Sequence, residues 1–470
     1  MEIYYYICHT LAKKNMTTKR SYKRLITIAS FLSMAMLPQP SWAQSDSTQN
    51  TLSVSLFFRT HGETCGGGLP RSIAEGAPKE YRSHFLMGRT RLAVDYSRKG
   101  LEARAVLQNL AVWGQSGNKA VNLYEGWAKM THKSGLFAQV GRIALAYDDE
   151  RIIGLNDFAM ASLTHDALRL GYEGAGHKVH AILCYNQNEE NVYNGTYYVN
   201  GAQAYKTMQT VWYHYDVPKF PLSASLLFMN VGMQAGKNDP KEWDYKVNGA
   251  RTVYQQMFGG YVNFHPKHFT VEGSYYRQIG EMVVMDVNAK DVRAWMASGK
   301  ISAMPADNYG FEAGYDYLSG DDFVPSGYGG LGMVHHETIK GFSPLFGSRN
   351  KFYGIMDFFY QSAYRNGFTP GLQNAFIGGN VNPVPNLTCN VDYHYLATAT
   401  KLLNLNRTLG HCVELTATYQ FSKDIALTAN YTHMWGTETM ARLKQDESSS
   451  HARWAWFTLD ISPSLFTTKW

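Results

Sequence analysis

Apolar and polar residues alternate without a slip from Val413 to Phe421: Val413, Leu415, Ala417, Tyr419 and Phe421 on one face, Glu414, Thr416, Thr418 and Gln420 on the other. Period two is the signature of a strand with two unlike faces, and about ten residues suffice to cross a bilayer when the strand is tilted. The pattern returns many times between Leu52 and Ile461, with aromatic residues near the segment ends. It predicts an all-β fold, a closed transmembrane antiparallel β-barrel. A secreted soluble β-protein also alternates, but its strands run to about five or six residues.

Clusters of Gly, Pro, Asn and Asp mark short turns at 98–100, 132–135, 175–177, 218–221, 265–268, 305–308, 383–386 and 422–424. Between them lie longer polar segments near 61–83, 115–122, 147–165, 189–205, 237–250, 280–289, 320–370, 403–409 and 438–452. Eight short turns alternating with nine long loops predict about 18 strands, with both termini on the short-turn side, the periplasm. Arg453 to Phe466 reads as the closing strand, and the aromatic end Phe466 to Trp470 resembles the signal read by the outer-membrane insertion machinery. The segment 320–370 is too long for an ordinary connection and carries Phe342, Leu345, Phe346, Phe352, Tyr353, Phe358 and Phe359, so it is expected to fold partly into the lumen.

Lys19, Arg20, Lys23 and Arg24 precede an apolar run from Leu25 to Leu37, and Ser41-Trp42-Ala43 supplies small residues for cleavage. Residues 1–43 are therefore expected to be a signal peptide, and 44–470 the barrel. The formal charge of +6 changes meaning accordingly. Of 44 Lys/Arg and 38 Asp/Glu, six basic and one acidic residue fall in 1–43, leaving 38 against 37. A nearly neutral mature chain without a basic stripe gives no support to nucleic-acid binding. After the leader no apolar run reaches 18 residues, so no transmembrane helix is expected. Strand one starts close to the mature N-terminus, which leaves no room for a plug and argues against energised uptake. Cys65, Cys184, Cys389 and Cys412 match neither a zinc site nor a dense disulfide scaffold and read as structural.

Two blocks resemble the hallmark segments of alginate-export-type outer-membrane porins: Gly141 to Gly154 (GRIALAYDDERIIG) followed by His165-Asp166-Ala167-Leu168-Arg169-Leu170, and Tyr315 to Asp322 (YDYLSGDD) with Lys351 to Asp357 (KFYGIMD). The resemblance runs from about Arg89 to the C-terminus and implies an eighteen-stranded monomeric pore, in agreement with the turn count. In the family's namesake the lumen is dominated by arginine and suits an acidic polysaccharide; this mature chain is nearly neutral, so the resemblance supports a channel more than a particular solute.

Strand register nominates the lumen-lining charges. Arg89 and Arg91 alternate with Leu92 and Val94; Arg104 lines the next strand, Glu125 and Lys129 the one after, then Arg142, Arg151 and Arg169. Farther along, Glu312, Asp316 and Glu414 occupy polar faces. A basic N-terminal wall facing an acidic C-terminal wall would set up a transverse field in a narrow pore. The competing reading is that these charges only pair across strands. Asp148-Asp149 and His165-Asp166 invite comparison with a rim hydrolase; His335-His336-Glu337 and Asp321-Asp322 could meet a metal, but solvated loop acids and histidines are commoner. The function expected is a monomeric outer-membrane porin in contact with lipid, passing small hydrophilic solutes, anionic ones included, without cofactor. An exporter of an anionic polysaccharide and a surface adhesin or rim hydrolase are the alternatives. The mature chain should begin at Gln44, to be checked by N-terminal sequencing; a membrane-embedded product retaining Leu25 to Leu37 would exclude this.

Overall fold

The computed structural model describes residues 49–67, 81–115, 120–186, 205–235, 251–284, 288–306, 308–321, 338–348, 350–356, 369–402, 404–444 and 451–470. Residues 1–48, which include the expected signal peptide, together with Asp322, His335-His336-Glu337 and Asp357 to Phe359, lie outside them. The strands are β1 (Thr51–Gly67), β2 (Tyr81–Arg98), β3 (Leu101–Val112), β4 (Val121–Thr131), β5 (Leu136–Ile143), β6 (His165–Gly174), β7 (His177–Tyr185), β8 (Thr207–Asp216), β9 (Leu222–Ala235) and β10 (Arg251–Phe264). They continue as β11 (Phe269–Val284), β12 (Asn288–Ala306), β13 (Tyr309–Leu318), the two-residue β14 (Thr338–Ile339), β15 (Leu372–Val384), β16 (Leu387–Ala397), β17 (Thr408–Ser422), β18 (Ile425–Gly436), β19 (His451–Ile461) and β20 (Ser464–Lys469). One short helix, α1 (Glu438–Lys444), precedes β19 and is capped by Thr437, whose Oγ1 accepts from Met440 N at 3.4 Å.

Each wall strand pairs antiparallel with its neighbours, and β13 pairs directly with β15 because β14 lies off the wall, parallel to β12. β19 and β20 form a single stave interrupted at Pro463: β1 pairs with β19 from Phe58 to Gly67 and with β20 from Thr51 to Ser55. The result is a closed 18-strand antiparallel barrel. Leu56 N donates to Pro463 O at 3.1 Å, and Asn50 and Trp470 exchange backbone bonds at 2.8 and 3.1 Å, so the seam stays paired through the break. In hydrocarbon an open edge would leave a row of unsatisfied N–H and C=O groups, which closure removes.

Burial is inverted relative to a soluble protein. Leu168, Leu170, Val211, Leu226, Phe228, Val262, Ile301, Ile377 and Leu415 are exposed, while Gln108, Gln139, Gln255, Gln278, Asp316 and Thr432 are buried. The exposed set faces outward and forms an apolar belt. It is edged by Tyr393, Tyr395, Tyr431 and Trp435 toward the long loops, and by Phe269, Tyr309, Phe311, Tyr419, Phe421 and Phe466 toward the short turns. Among the described residues Cys65, Cys184, Cys389 and Cys412 are all free thiols.

All eight short turns join hydrogen-bonded neighbours where the sequence predicts them. Within one expected long loop, 280–289, β11 and β12 are still paired, the register running to Val284↔Asn288. The 16 residues of β11 and 19 of β12 exceed what a bilayer needs, so their ends stand above the belt, where outward residues turn polar. The same overhang carries β1 to Gly67 and starts β2 at Tyr81, inside the segment 61–83 read as loop.

Leu415 and Thr416 are adjacent in β17 but face lipid and lumen respectively. Leu415→Arg should cost about 2–4 kcal/mol in folding into lipid vesicles, as for a cation near the bilayer midplane, and Thr416→Arg well under half of that. Comparable costs in urea-dependent folding would contradict the assigned register.

Candidate channel constriction

Two segments leave the wall and pack inside the lumen. The first, 144–164, joins β5 to β6; the second, 338–348 with 350–356, lies between β13 and β15. They bind each other through backbone: Gly154 N donates to Phe346 O (2.9 Å), Phe346 N to Ile152 O (3.1 Å) and Ser348 N to Glu150 O (2.9 Å), around a parallel bridge between Ile153 and Phe346. Asp148, Glu150, Asn156 and Ser162 have positive φ (48 to 67°), which lets the first segment turn back on itself. Leu145, Ile152, Ile153, Phe342, Phe346 and Tyr353 are buried against a bed that includes the lumen-facing Met208, Met229, Met257, Tyr276 and Met296.

Polar side chains fix this insert to the wall. Arg151, 5% exposed, pairs with Asp149 and with Asp316 of β13 at 3.1 Å each. It also donates to the Tyr353 hydroxyl at 2.9 Å and stacks 4.0 Å from the centroid of Phe352. Burial opposes its charge, but Asp316, Tyr353 and Asp149 outweigh that and hold its pKa well above the ordinary value. The Asp148 carboxylate accepts from Trp212 Nε1 at 3.1 Å, and burial raises its pKa. Glu150 accepts from Ser348 Oγ at 2.6 Å and from Lys351 Nζ at 3.1 Å. From the wall, Gln278 exchanges two bonds with Ser343 (2.7 and 3.1 Å), Asp321 accepts from Lys340 N (2.6 Å) and Gly341 N (3.1 Å), and Glu414 accepts from Ile355 N (2.7 Å).

The tip of the first segment reaches three arginines. Arg59 and Arg89 are directly paired across β1 and β2, and Arg91 lies two residues along. Asp157 binds all three guanidinium groups, at 3.1, 3.0 and 3.4 Å, and Ser162 Oγ accepts from Arg89 (3.1 Å) and Arg91 (2.9 Å). Asp460 closes the row on Arg59 at 2.7 Å, and Phe158 sits among His61, Trp454 and Trp456, ring centroids 5.2–5.7 Å apart. Burial pushes the Asp157 carboxyl up, yet Arg89, Arg59 and the Ser162 hydroxyl overcome it and hold the group below the usual carboxylate range.

The other nominated residues separate into distinct settings. Arg104 bridges Asp95 (2.7 Å) and Glu125 (2.9 Å), and Glu125 also accepts from Trp127 Nε1 (3.1 Å). Lys129 and Arg169 flank the Phe137 ring at 4.8 and 5.4 Å, and Arg169 donates to the Tyr147 hydroxyl at 3.4 Å. Glu312, Gly378, Asp392 and Glu414 share one lateral row on the acidic wall. Arg142 is a correction: it shares parity with the exposed Leu136 and Val140, faces outward, and pairs with Asp166 at 2.8 Å. Because Phe137, Gln139 and Ile143 take the lumen face of β5, Arg142 cannot. His165 and Asp166 consequently point to opposite faces of β6, and His165 bonds Tyr205 at 2.7 Å, so they form no dyad. Register alone could have found Arg59, which alternates with Leu56 and Phe58; nothing local points to Asp157.

No protein-family model matches this sequence, and no curated protein does either. Solved structures match in fold. Pseudomonas aeruginosa OccK3 (OpdO) superposes with a TM-score of 0.58 at 12% identity, covering 88% of this chain and 96% of that one. Acinetobacter baumannii OccAB1 gives 0.56 at 14%, covering 88% and 97%. The outer membrane protein OprD of P. aeruginosa gives 0.55 at 13%, covering 88% and 94%. The fold is that of the OprD and Occ barrels. At such identities the likeness is one of architecture, and the alginate-export resemblance rests on its two segments alone.

Removing the tip charge should test the clamp. Asp157→Asn leaves three guanidiniums without their shared carboxylate, so reversal potentials should move toward anion selectivity, more at 0.1 M salt than at 1 M, where screening shortens from about 10 to about 3 Å. A carboxylate with a depressed pKa keeps its ion pairs above its unfolded value and loses them as pH falls through the folded one. The contribution of Asp157, read as the difference in reversal potential between the unaltered protein and Asp157→Asn, should therefore persist through mildly acidic pH and fade only below the ordinary carboxylate range of about 4.

Proposed function

We propose that the protein is a monomeric outer-membrane channel, with periplasmic termini, through which small hydrophilic solutes pass without energy input or cofactor. The observation that carries this reading is the insert: two segments hydrogen-bonded to each other and pinned to the wall by Arg151–Asp316, Glu414 and the Asp157 clamp, which narrow the lumen. Charged side chains remain around it. Arg91, Arg104, Lys129 and Arg169 line one side, Glu125 among them, and Glu312 and Glu414 the other. A solute in that gap meets opposed charges across a low-dielectric wall, which orients dipolar molecules and moderates any preference for one sign of ion. The barrel likeness to OccK3, OccAB1 and outer membrane protein OprD supports the setting.

Export of an anionic polysaccharide is the second reading. What favours it is that the two alginate-export-like segments meet, through Arg151 with Asp316 and Tyr353. Polymer passage would require that insert to move aside.

Reconstituted protein should give liposome swelling with monosaccharides and amino acids and little with anionic oligosaccharides. Arg89, Arg91 and Arg104 all replaced by Gln should shift the reversal potential toward cations, most at low salt. An intact barrel that admits no small solute would sink the proposal, and oligosaccharide flux equal to that of monosaccharides would favour the exporter. An unchanged ion preference in the triple variant would remove these arginines from selectivity.

A further inference from the structure

Outward-facing arginines occur in several places near the long-loop end of the barrel, and most share their face with carboxylates. Arg142 is paired with Asp166. Arg277 and Arg293, on β11 and β12, share their outer face with Glu281 and Asp291, which are register partners. One group differs. Across β18, β19, β1 and β2 a single lateral row reads His433, Arg453, Gly66, Arg82. Arg453 is exposed and has the parity of the exposed Phe457; Arg82 is exposed and has the parity of Leu86. His433 Nε2 lies 3.3 Å from His451 Nδ1, the next outward residue above Arg453, and His84, the next below Arg82, contacts Thr64 Oγ1 at 3.0 Å. Among the described residues no carboxylate stands on the outer face of these four strands in this stretch.

We propose that Arg82 and Arg453, flanking Gly66, form a seat for the phosphorylated headgroup of a glycolipid in the outer leaflet. Three features fit this occupant. Gly66 carries no side chain, so the two arginine strands, two inter-strand spacings or about 9.5 Å apart, leave an open notch into which both guanidiniums can reach. Guanidinium pairs bind phosphate oxygens in bidentate fashion, and the row of imidazoles at His433 and His451 adds further donors. The height is right as well. Leu86 and Phe457, apolar residues of the belt, lie four residues below Arg82 and Arg453, which places the notch about 10 Å above the belt for strands tilted near 40°, at headgroup level. A soluble anion would gain nothing from that position, whereas a lipid gains acyl contact with Phe457 and Leu86 beneath.

The inference rests on the orientation proposed above, with long loops outward; protease accessibility of those loops on whole cells tests that separately. The seat itself is tested by native mass spectrometry of the full mature protein in detergent, titrated with diphosphorylated lipid A. Arg82→Gln with Arg453→Gln should weaken binding at least ten-fold, while Arg277→Gln with Arg293→Gln, an equal change of charge, should leave it unaltered. Dephosphorylated lipid should bind every variant weakly, and millimolar inorganic phosphate should not displace the phosphorylated lipid. Heat-dependent electrophoretic mobility confirms folding, and the single Arg82→Lys and Arg453→Lys variants, with intermediate loss expected, serve if the double variant does not fold. Wild-type affinity in the double variant or in both lysine variants, equal binding of dephosphorylated lipid, or displacement by phosphate would each overturn the seat. Bilayer conductance should be unchanged throughout, since these side chains face away from the lumen.

Discussion

Closure is the constraint from which the rest follows. A wall in hydrocarbon must pair every backbone donor and acceptor, so the first and last strands have to meet in one register. Pro463 cannot donate, and the closing stave answers by splitting into β19 and β20, with Leu56 N bonded to the proline carbonyl. Once that seam is set, strand parity decides which side chains enter the lumen. Arg59 and Arg89 are then forced side by side, and their repulsion demands a counter-charge from somewhere.

That counter-charge comes from both sides: Asp460 in the wall and Asp157 on the insert. A buried ion pair contributes stability only when geometry and further hydrogen bonds repay desolvation, and breaking one leaves a costly orphan. Arg151 meets the condition with two carboxylates, a phenol and an aromatic face. The insert is thus held by interactions whose partial loss is expensive, which favours one docked position over a range of loose ones. Its apolar underside needs a matching bed, and the methionines of β8 to β12 supply one; unbranched thioethers adapt to an irregular partner better than branched side chains do.

Much of this could be read from the chain before any coordinates. Unbroken alternation at 413–421 and eight turn clusters predict the strand count, because a lipid-facing row must be apolar and a hairpin must turn. Position within a strand was legible wherever both faces were distinct, as at Arg89 and Arg104. It failed at Arg142, where the strand is short, Gly141 precedes it and Gly126 stands opposite it, leaving little contrast between faces. It failed again at β9, whose Leu226-Leu227-Phe228-Met229 run is apolar on both faces: one row meets lipid, the other the insert. Asp157 carries no local mark at all, since the three arginines it binds lie 66 to 98 residues away along the chain.

The arginine row therefore has two claims on it. Asp157 and any anion entering the lumen compete for the same guanidinium donors, so tip docking and anion binding there must weaken each other by one common factor. With Asp157 in place, Arg89 is 1% exposed and offers an anion little. Arg104, shared between two carboxylates, is likewise partly neutralised, whereas Lys129 and Arg169 lie against an aromatic ring, neither in an ion pair with a carboxylate among the described residues. A ring quadrupole stabilises a cation without cancelling its charge. In the docked state the field that a passing solute feels on the basic wall is accordingly set more by the pair astride Phe137 than by the more numerous arginines near the tip.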